Sequence, residues 1–234
     1  MLPKSKACGT AYGVGVGPGD PELMTLKAVR LIRENEIIAL PSKEARNSMA
    51  YRIAVQSVPE LREKTLLSLE MPMVRERAVL EKAHRAATDR VEEYLRRGQN
   101  VVFLLLGDPT VYGTFRYLRE LLEGDGYPTE TVSGVPSFCA AAARLNVPLA
   151  EWDESLHIIP AAHLDEGFAM GEGTYVFMKA GGKLPRVKAL LRDNGRDVYA
   201  AVNCGMPEEA LYAGVDNIPD DAGYFSLVIA KDSR

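Results

Sequence analysis

The sequence predicts an α/β protein with a mostly parallel sheet in its N-terminal half and a mixed sheet in its C-terminal half. Two observations carry that expectation. Short apolar runs alternate with helix-period segments through the first half, the order that places parallel strands between crossover helices. In the second half apolar runs follow one another at hairpin-like spacing, which calls for antiparallel pairs.

Taken in order, strands are expected at 11–17, 36–40 ("EIIAL"), 65–69, 100–106 ("NVVFLLL") and 129–133. Helices are expected at 21–34, 74–97 and 114–124. In the first helix Leu23, Leu26, Val29 and Ile32 mark the apolar face, Asp20 suits the N-cap and Pro21 the first helical position. The second half opens with a helix in "PSFCAAAARL" and continues with strands "LHIIP", "TYVFMK", "DVYAAVNC" and "YFSLVIAK" and a helix at 185–194. Gly124, Gly126 and Pro128 cluster in "EGDGYPTET", which puts the division between domains 1–126 and 127–234.

Composition narrows the function classes. The 234 residues are 47% hydrophobic, enough for a substantial core, and the net charge of −4 offers no global field for nucleic acid or an anionic membrane. Cys8, Cys139 and Cys204 are too few and too far apart for a disulfide framework or a CxxC site. With no signal-like apolar run near the amino terminus, the expectation is a soluble, cytoplasmic protein. No HxxxH or CxxC spacing supports a protein-bound metal, and Glu208 with Glu209 is only an isolated acidic pair.

The stretch "GVGVGPGDPELMTLKA", residues 13–28, joins the first strand to the first helix through a glycine loop. A dinucleotide fingerprint would need a third glycine where Pro18 or Asp20 stands, so both registers fail. The phosphate-loop pattern fails too, because Leu184 follows the lysine in "AGGKLP". Two readings are left for the alternating glycines: a tight turn, or a bare edge against which something broad and flat can lie. A second signal is "LLLGDPTVYGT", residues 104–114, which sets Asp108 at the carboxyl end of a buried strand, where open α/β sheets place ligands. Asp108 either accepts hydrogen bonds from a ligand or closes an Asx turn on its own backbone.

These segments, with "SGVPSFCAAAARLNVPL" and "YVFMK", resemble the tetrapyrrole methylase family from about residue 11 to 231. Within it, "LPSKEARNSMAYRIA" and "LEMPMVRERAVLEKA" resemble the branch that methylates precorrin-2 at its C(20) meso carbon. The resemblance implies two α/β domains with a ligand cleft between them, a homodimer, S-adenosylmethionine as methyl donor and a small-molecule tetrapyrrole as acceptor. Carried over residue by residue, donor contacts fall on Pro18, Gly107, Asp108, Val111, Pro136, Ser137, Met178, Gly205 and Leu227. Leu106 stands where many relatives carry glycine, and Pro136 with Ser137 replaces a threonine-alanine pair. The glycine loop, including Gly15 and Gly17, would border the ring, and its glycines would make room for it.

A ring bearing many carboxylates needs cations and hydroxyls, and Ser42, Lys43, Arg46, Ser48 and Arg52 follow the second strand; a solvated surface is the competing reading. Arg75 and Arg77 are weaker choices. No catalytic base is named. Tyr112, beside the donor loop, is the candidate for positioning or proton handling, against a plain packing role in the core or cleft wall. On pattern His84 is solvated, His157 is a packed strand residue, and Cys139 is a small packed residue with no neighbour to activate it. His163 has no assigned role. Other acceptors, another ring position or the modified histidine handled by the family's diphthine synthase branch, are the alternative; a nicotinamide-dependent oxidoreductase or a nucleotide-binding module is a remote one.

Overall fold

The computed structural model describes residues 8–72, 74, 76–164, 167–192 and 194–233. The chain forms two compact units that divide between Pro136 and Ser137. The division expected after residue 126 is therefore displaced. The reason is β5 (Thr129–Val132), which pairs in parallel with β1 (Ala11–Gly15) and so belongs to the first sheet. The Gly/Pro cluster that suggested a boundary is the turn from helix to strand inside that unit.

The first unit holds β1, β2 (Ile37–Leu40), β3 (Thr65–Ser68), β4 (Val101–Leu105) and β5 in a parallel sheet of order β3-β2-β4-β1-β5. Both faces are covered, as parallel strands with crossover helices require. On one face α1 (Leu26–Glu34) and α2 (Met49–Ser57) pack Ala28, Ile32, Ile53 and Ala54 against Val14, Ile38, Val102 and Leu104. On the other, α3 (Arg77–Leu95) and α4 (Phe115–Gly124) pack Val91, Leu95, Phe115 and Leu118 against Ala39, Phe103 and Leu105. The alternating strand residues thus divide between two apolar layers.

The helix expected over 21–34 is broken. Asp20 caps a single 3-10 turn, Pro21–Leu23, with Pro21 in its first position. Thr25 then caps α1 separately, accepting from the Ala28 amide at 3.1 Å. Two N-caps five residues apart reset the helical phase. Ala28, Leu31 and Ile32 face the core, and Leu26, expected on that face, is 89% exposed. The helix α2 and the strand β9 (Ala210–Ala213) are additions to the elements read from the sequence.

The second unit holds α5 (Ser137–Leu145), β6 (Leu156–Pro160), β7 (Thr174–Met178), α6 (Leu184–Arg192), β8 (Asp197–Val202), β9 and β10 (Ser226–Lys231). Its sheet runs β6-β7-β10-β8-β9, with β6 and β7 parallel and the remaining pairs antiparallel, the mixed sheet expected. Leu184, Val187 and Leu191 of α6 close one face over Tyr175, Phe177, Ala200 and Val228. α5 packs along β8 and β10.

Candidate functional site

In the first sheet the connection from β1 leads to a helix on one face, and that from its neighbour β4 to a helix on the other. Adjacent strands whose chains depart to opposite faces define a switch point, where open α/β sheets hold ligands outside the carboxyl ends. The glycine loop and the Gly107–Asp108 turn both sit there. They are joined directly: the Gly107 amide donates to the Gly17 carbonyl at 2.8 Å, and Val16 to Leu105 at 2.9 Å.

For two of the alternating glycines, Gly13 and Gly15, the bare side is taken by the protein itself rather than left open. The bare side of Gly13 is filled by Phe115, whose ring lies 2.1 Å from where a Cβ would stand. A Cβ on Gly15 would meet the Gly107 carbonyl oxygen at 2.4 Å and the Gly134 Cα at 2.8 Å; one on Gly134 would meet the Gly107 oxygen at 2.2 Å. Three strand ends touch backbone to backbone, so the protein itself occupies this space. Gly107 differs: its φ is +72°, and nothing comes nearer to its missing Cβ than the Val135 oxygen at 4.0 Å. That open side leaves room for a ligand to approach the main chain. Pro18 is buried beside Gly17.

Asp108 is buried and forms the Asx turn: Oδ1 accepts from the Thr110 amide at 2.7 Å and from the Thr110 hydroxyl. Beyond the turn, Oδ2 accepts from the Gly134 amide at 2.9 Å, a link that sequence distance concealed. Val111 is half-buried, its amide donating to the Asp108 carbonyl at 3.1 Å. Tyr112 follows with φ +52°, in the left-handed region, and is 49% exposed, so it is no core residue.

In the second unit, Met178, Gly205 and Leu227 fall at one end of the sheet. Met178 ends β7, one step beyond the Phe177–Val228 pair, and Leu227 pairs with Ala201 of β8. Gly205 adopts φ +72°, and its amide donates to Glu209 Oε2 at 2.6 Å. Glu209 Oε1 accepts from Arg144 Nε at 2.8 Å, tying α5 to the turn after β8. The Arg144 guanidinium and the Gly205 amide hold the Glu209 carboxyl below its ordinary range despite partial burial. The sequence had offered Glu209 only as half of an acidic pair; nothing local showed its partners 65 and 4 residues away. Ser137 opens α5, directly after Pro136.

The residues expected to meet carboxylates lie together in and beside the segment leading into α2. The Ser48 hydroxyl caps that helix, accepting from the Tyr51 amide at 3.1 Å. Ser42 closes a local turn with Glu44. Lys43 pairs with Glu70 at 3.1 Å. Arg46 is committed within the fold, donating to the Tyr51 hydroxyl and the Arg62 carbonyl, both at 3.0 Å. Arg52 projects from α2 exposed, with no ion-pair partner among the described residues. Arg77 forms a solvated i,i+4 pair with Glu81, and Arg75 lies outside the described residues.

His84, expected in solvent, stacks on Tyr117 with ring centroids 4.5 Å apart, and burial lowers its pKa. The helix pattern could not show that α4 would lay an aromatic against it. His157 stacks on Tyr175 at 4.3 Å, half-buried on an edge strand. The side chain of His163 lies outside what is described. Cys139 is exposed, contrary to its reading as a packed residue, and desolvation pushes its thiol pKa up. No group of three or more His, Cys, Asp or Glu that could hold a metal occurs among the described residues. No described helix is long and apolar enough to cross a membrane.

Residues 10–216 match the family described as Tetrapyrrole (Corrin/Porphyrin) Methylases. The chain is 33% identical to a probable cobalt-precorrin-2 C(20)-methyltransferase of Methanocaldococcus jannaschii, covering 94% of this chain and 95% of that protein. It is 31% identical to a precorrin-2 C(20)-methyltransferase of a Sinorhizobium species, covering 94% of each. Among solved structures, uroporphyrin-III C-methyltransferase of Thermus thermophilus aligns with a TM-score of 0.71 at 25% identity, over 96% of this chain and 92% of that one. The same enzyme complexed with S-adenosylhomocysteine aligns with a TM-score of 0.69 at 23% identity, over 95% of this chain and 97% of that one.

Proposed function

This chain belongs to the tetrapyrrole methylases, and we propose that it transfers a methyl group from S-adenosylmethionine to the C(20) meso carbon of precorrin-2 or its cobalt-bearing counterpart, in cobalamin biosynthesis. The observation that carries the reading is the open side of Gly107 at the switch point of the first sheet, in a chain whose similarity to two C(20)-methyltransferases spans nearly its whole length.

The donor brings an activated sulfonium methyl, which the meso carbon attacks as the sulfur–methyl bond breaks, releasing S-adenosylhomocysteine and, afterwards, a proton. The protein's share is alignment, which in well-oriented reacting pairs is worth roughly 7–11 kcal/mol. In the first unit the groups proposed for the donor are Pro18, Gly107, Asp108, Val111 and Pro136; in the second they are Ser137, Met178, Gly205 and Leu227. Gly107 offers main chain without a side chain in the way. Met178 and Leu227 offer apolar surface for a nucleoside. The Gly205 amide is already given to Glu209, so Gly205 would act through its carbonyl or its bare Cα.

For the acceptor we propose Ser42, Lys43, Arg46, Ser48 and Arg52 as carboxylate contacts, with Gly15 and Gly17 shaping the loop nearby. Arg52 has the exposed guanidinium best able to turn to a new partner; Arg46 would first have to leave Tyr51 and Arg62. Tyr112 is proposed to contact or position the reactants. The working form is proposed to be a cytoplasmic homodimer with no nucleic-acid or membrane partner, and sedimentation tests the dimer.

Incubation with S-adenosylmethionine and either precorrin-2 or cobalt-factor II tests the activity. The expected result is one added methyl by mass, located at the meso bridge. Methylation at another carbon, or none with either ring, would refute the C(20) assignment. The paired substrates also show whether cobalt must already be in the ring.

A further inference from the structure

The Asp108 carboxylate does something the family reading does not require. In the first sheet β4 and β5 are not neighbours; β1 lies between them. Yet Asp108, after β4, reaches Gly134, after β5, at 2.9 Å. The bond holds together a junction in which a Cβ on Gly15 or on Gly134 would meet the Gly107 carbonyl oxygen, at 2.4 and 2.2 Å. The other oxygen is held by the amide and the hydroxyl of Thr110. Three of the roughly four acceptor positions of a carboxylate are therefore filled by the protein.

We infer that Asp108 and Thr110 form a clasp that fixes the donor loop, and that both act as positioning residues, the carboxylate serving the turn more than the ligand. This rests on the reading of Gly107 as the donor's point of approach. The clasp holds the Gly107 turn against Gly134 while its one open side stays clear. It also accounts for the strain two residues further on, since Tyr112 keeps φ +52° without being glycine. A bulky residue stays in that region only where its surroundings over-determine it. Thr110 becomes a residue of consequence even though it is exposed, because its hydroxyl orients the carboxylate.

Binding of S-adenosylhomocysteine by calorimetry, with the thermal midpoint of each variant, tests the clasp. Thr110→Val removes one hydroxyl from an exposed loop and should weaken binding about tenfold, the usual order for a hydrogen bond to a charged group. Thr110→Ser, which keeps the hydroxyl, should restore it. Asp108→Ala should weaken binding further, and adding Thr110→Val to it should change nothing more, the non-additivity expected of two members of one unit. The Gly134 amide should exchange slowly in the wild type and at least about tenfold faster in Asp108→Ala. Wild-type binding with an unperturbed Thr110→Val, or multiplying effects in the double variant, overturns the clasp and makes Asp108 a direct ligand. A wild type that binds no S-adenosylhomocysteine overturns the donor reading instead, and the positioning role falls with it.

Discussion

In the first unit Gly15, Gly107 and Gly134 meet backbone to backbone at the strand ends, whereas in the second the turn after β8 is tied to α5 through long side chains, Arg144 and Glu209, which reach Gly205. The first kind of joint has no slack, because main-chain atoms cannot rotate out of the way. The second tolerates change and responds to pH. A loop that must present one bare Cα benefits from the first kind; a turn that shares its amide with an acid is adjustable.

The largest effect expected from breaking this contrast is at Phe115, which fills the bare side of Gly13 and meets Phe103 at a centroid distance of 5.9 Å. Phe115→Ala should cost about 4 kcal/mol in denaturant unfolding, since the cavity has rigid strand on one side. Gly15→Ala comes next. Its methyl would press on the Gly107 oxygen and the Gly134 Cα, and a loss of about 3 kcal/mol, with donor binding impaired in whatever folds, is expected. A Gly15→Ala protein as stable as the wild type would show that the junction has slack after all.

In the second unit the expected effect is smaller and has a pH signature. Glu209→Gln should cost about 1 kcal/mol at neutral pH. Because the folded carboxyl of Glu209 titrates below its unfolded value of about 4.3, its contribution is complete above that pH and is lost as pH falls through the depressed folded value. The variant should lack that part of the acid transition. Glu92 in the first unit gives the opposite sign: burial raises its pKa, so on acidification the folded form takes the proton first and acid relieves rather than loosens it. Comparing acid unfolding of Glu209→Gln and Glu92→Gln checks both directions. The smallest effect on stability is expected at Arg52. Arg52→Ala should leave the unfolding midpoint unchanged and weaken tetrapyrrole binding by roughly tenfold; unchanged binding would return Arg52 to the solvated surface.

The apolar runs and the helix-period segments between them were legible in the sequence, and with them the parallel sheet of the first unit and the mixed sheet of the second. What escaped was set by distance. α2 begins at a serine cap inside a polar segment, and β9 is four residues on an edge, too short for a period to show. Leu26 was misplaced because Thr25, not Asp20, starts the helix. The importance of Gly107 and Asp108 could be read from a buried strand ending in Gly-Asp-Pro, but the partner of Asp108 could not, because Gly134 lies 26 residues on and beyond the intervening β1. Among the glycines read as a tight turn or an opening for a ligand, Gly13 and Gly15 have their bare sides filled by Phe115 and by Gly107 and Gly134. Alternating glycine reports that something lies close to the backbone, and only the fold says what.

A crystal structure with S-adenosylhomocysteine bound is the most direct test of the account. The nucleoside or its homocysteine arm should lie against the open face of Gly107, with the Asp108 oxygens still on Thr110 and Gly134. A ligand lodged away from the carboxyl ends of β1 and β4 would contradict it.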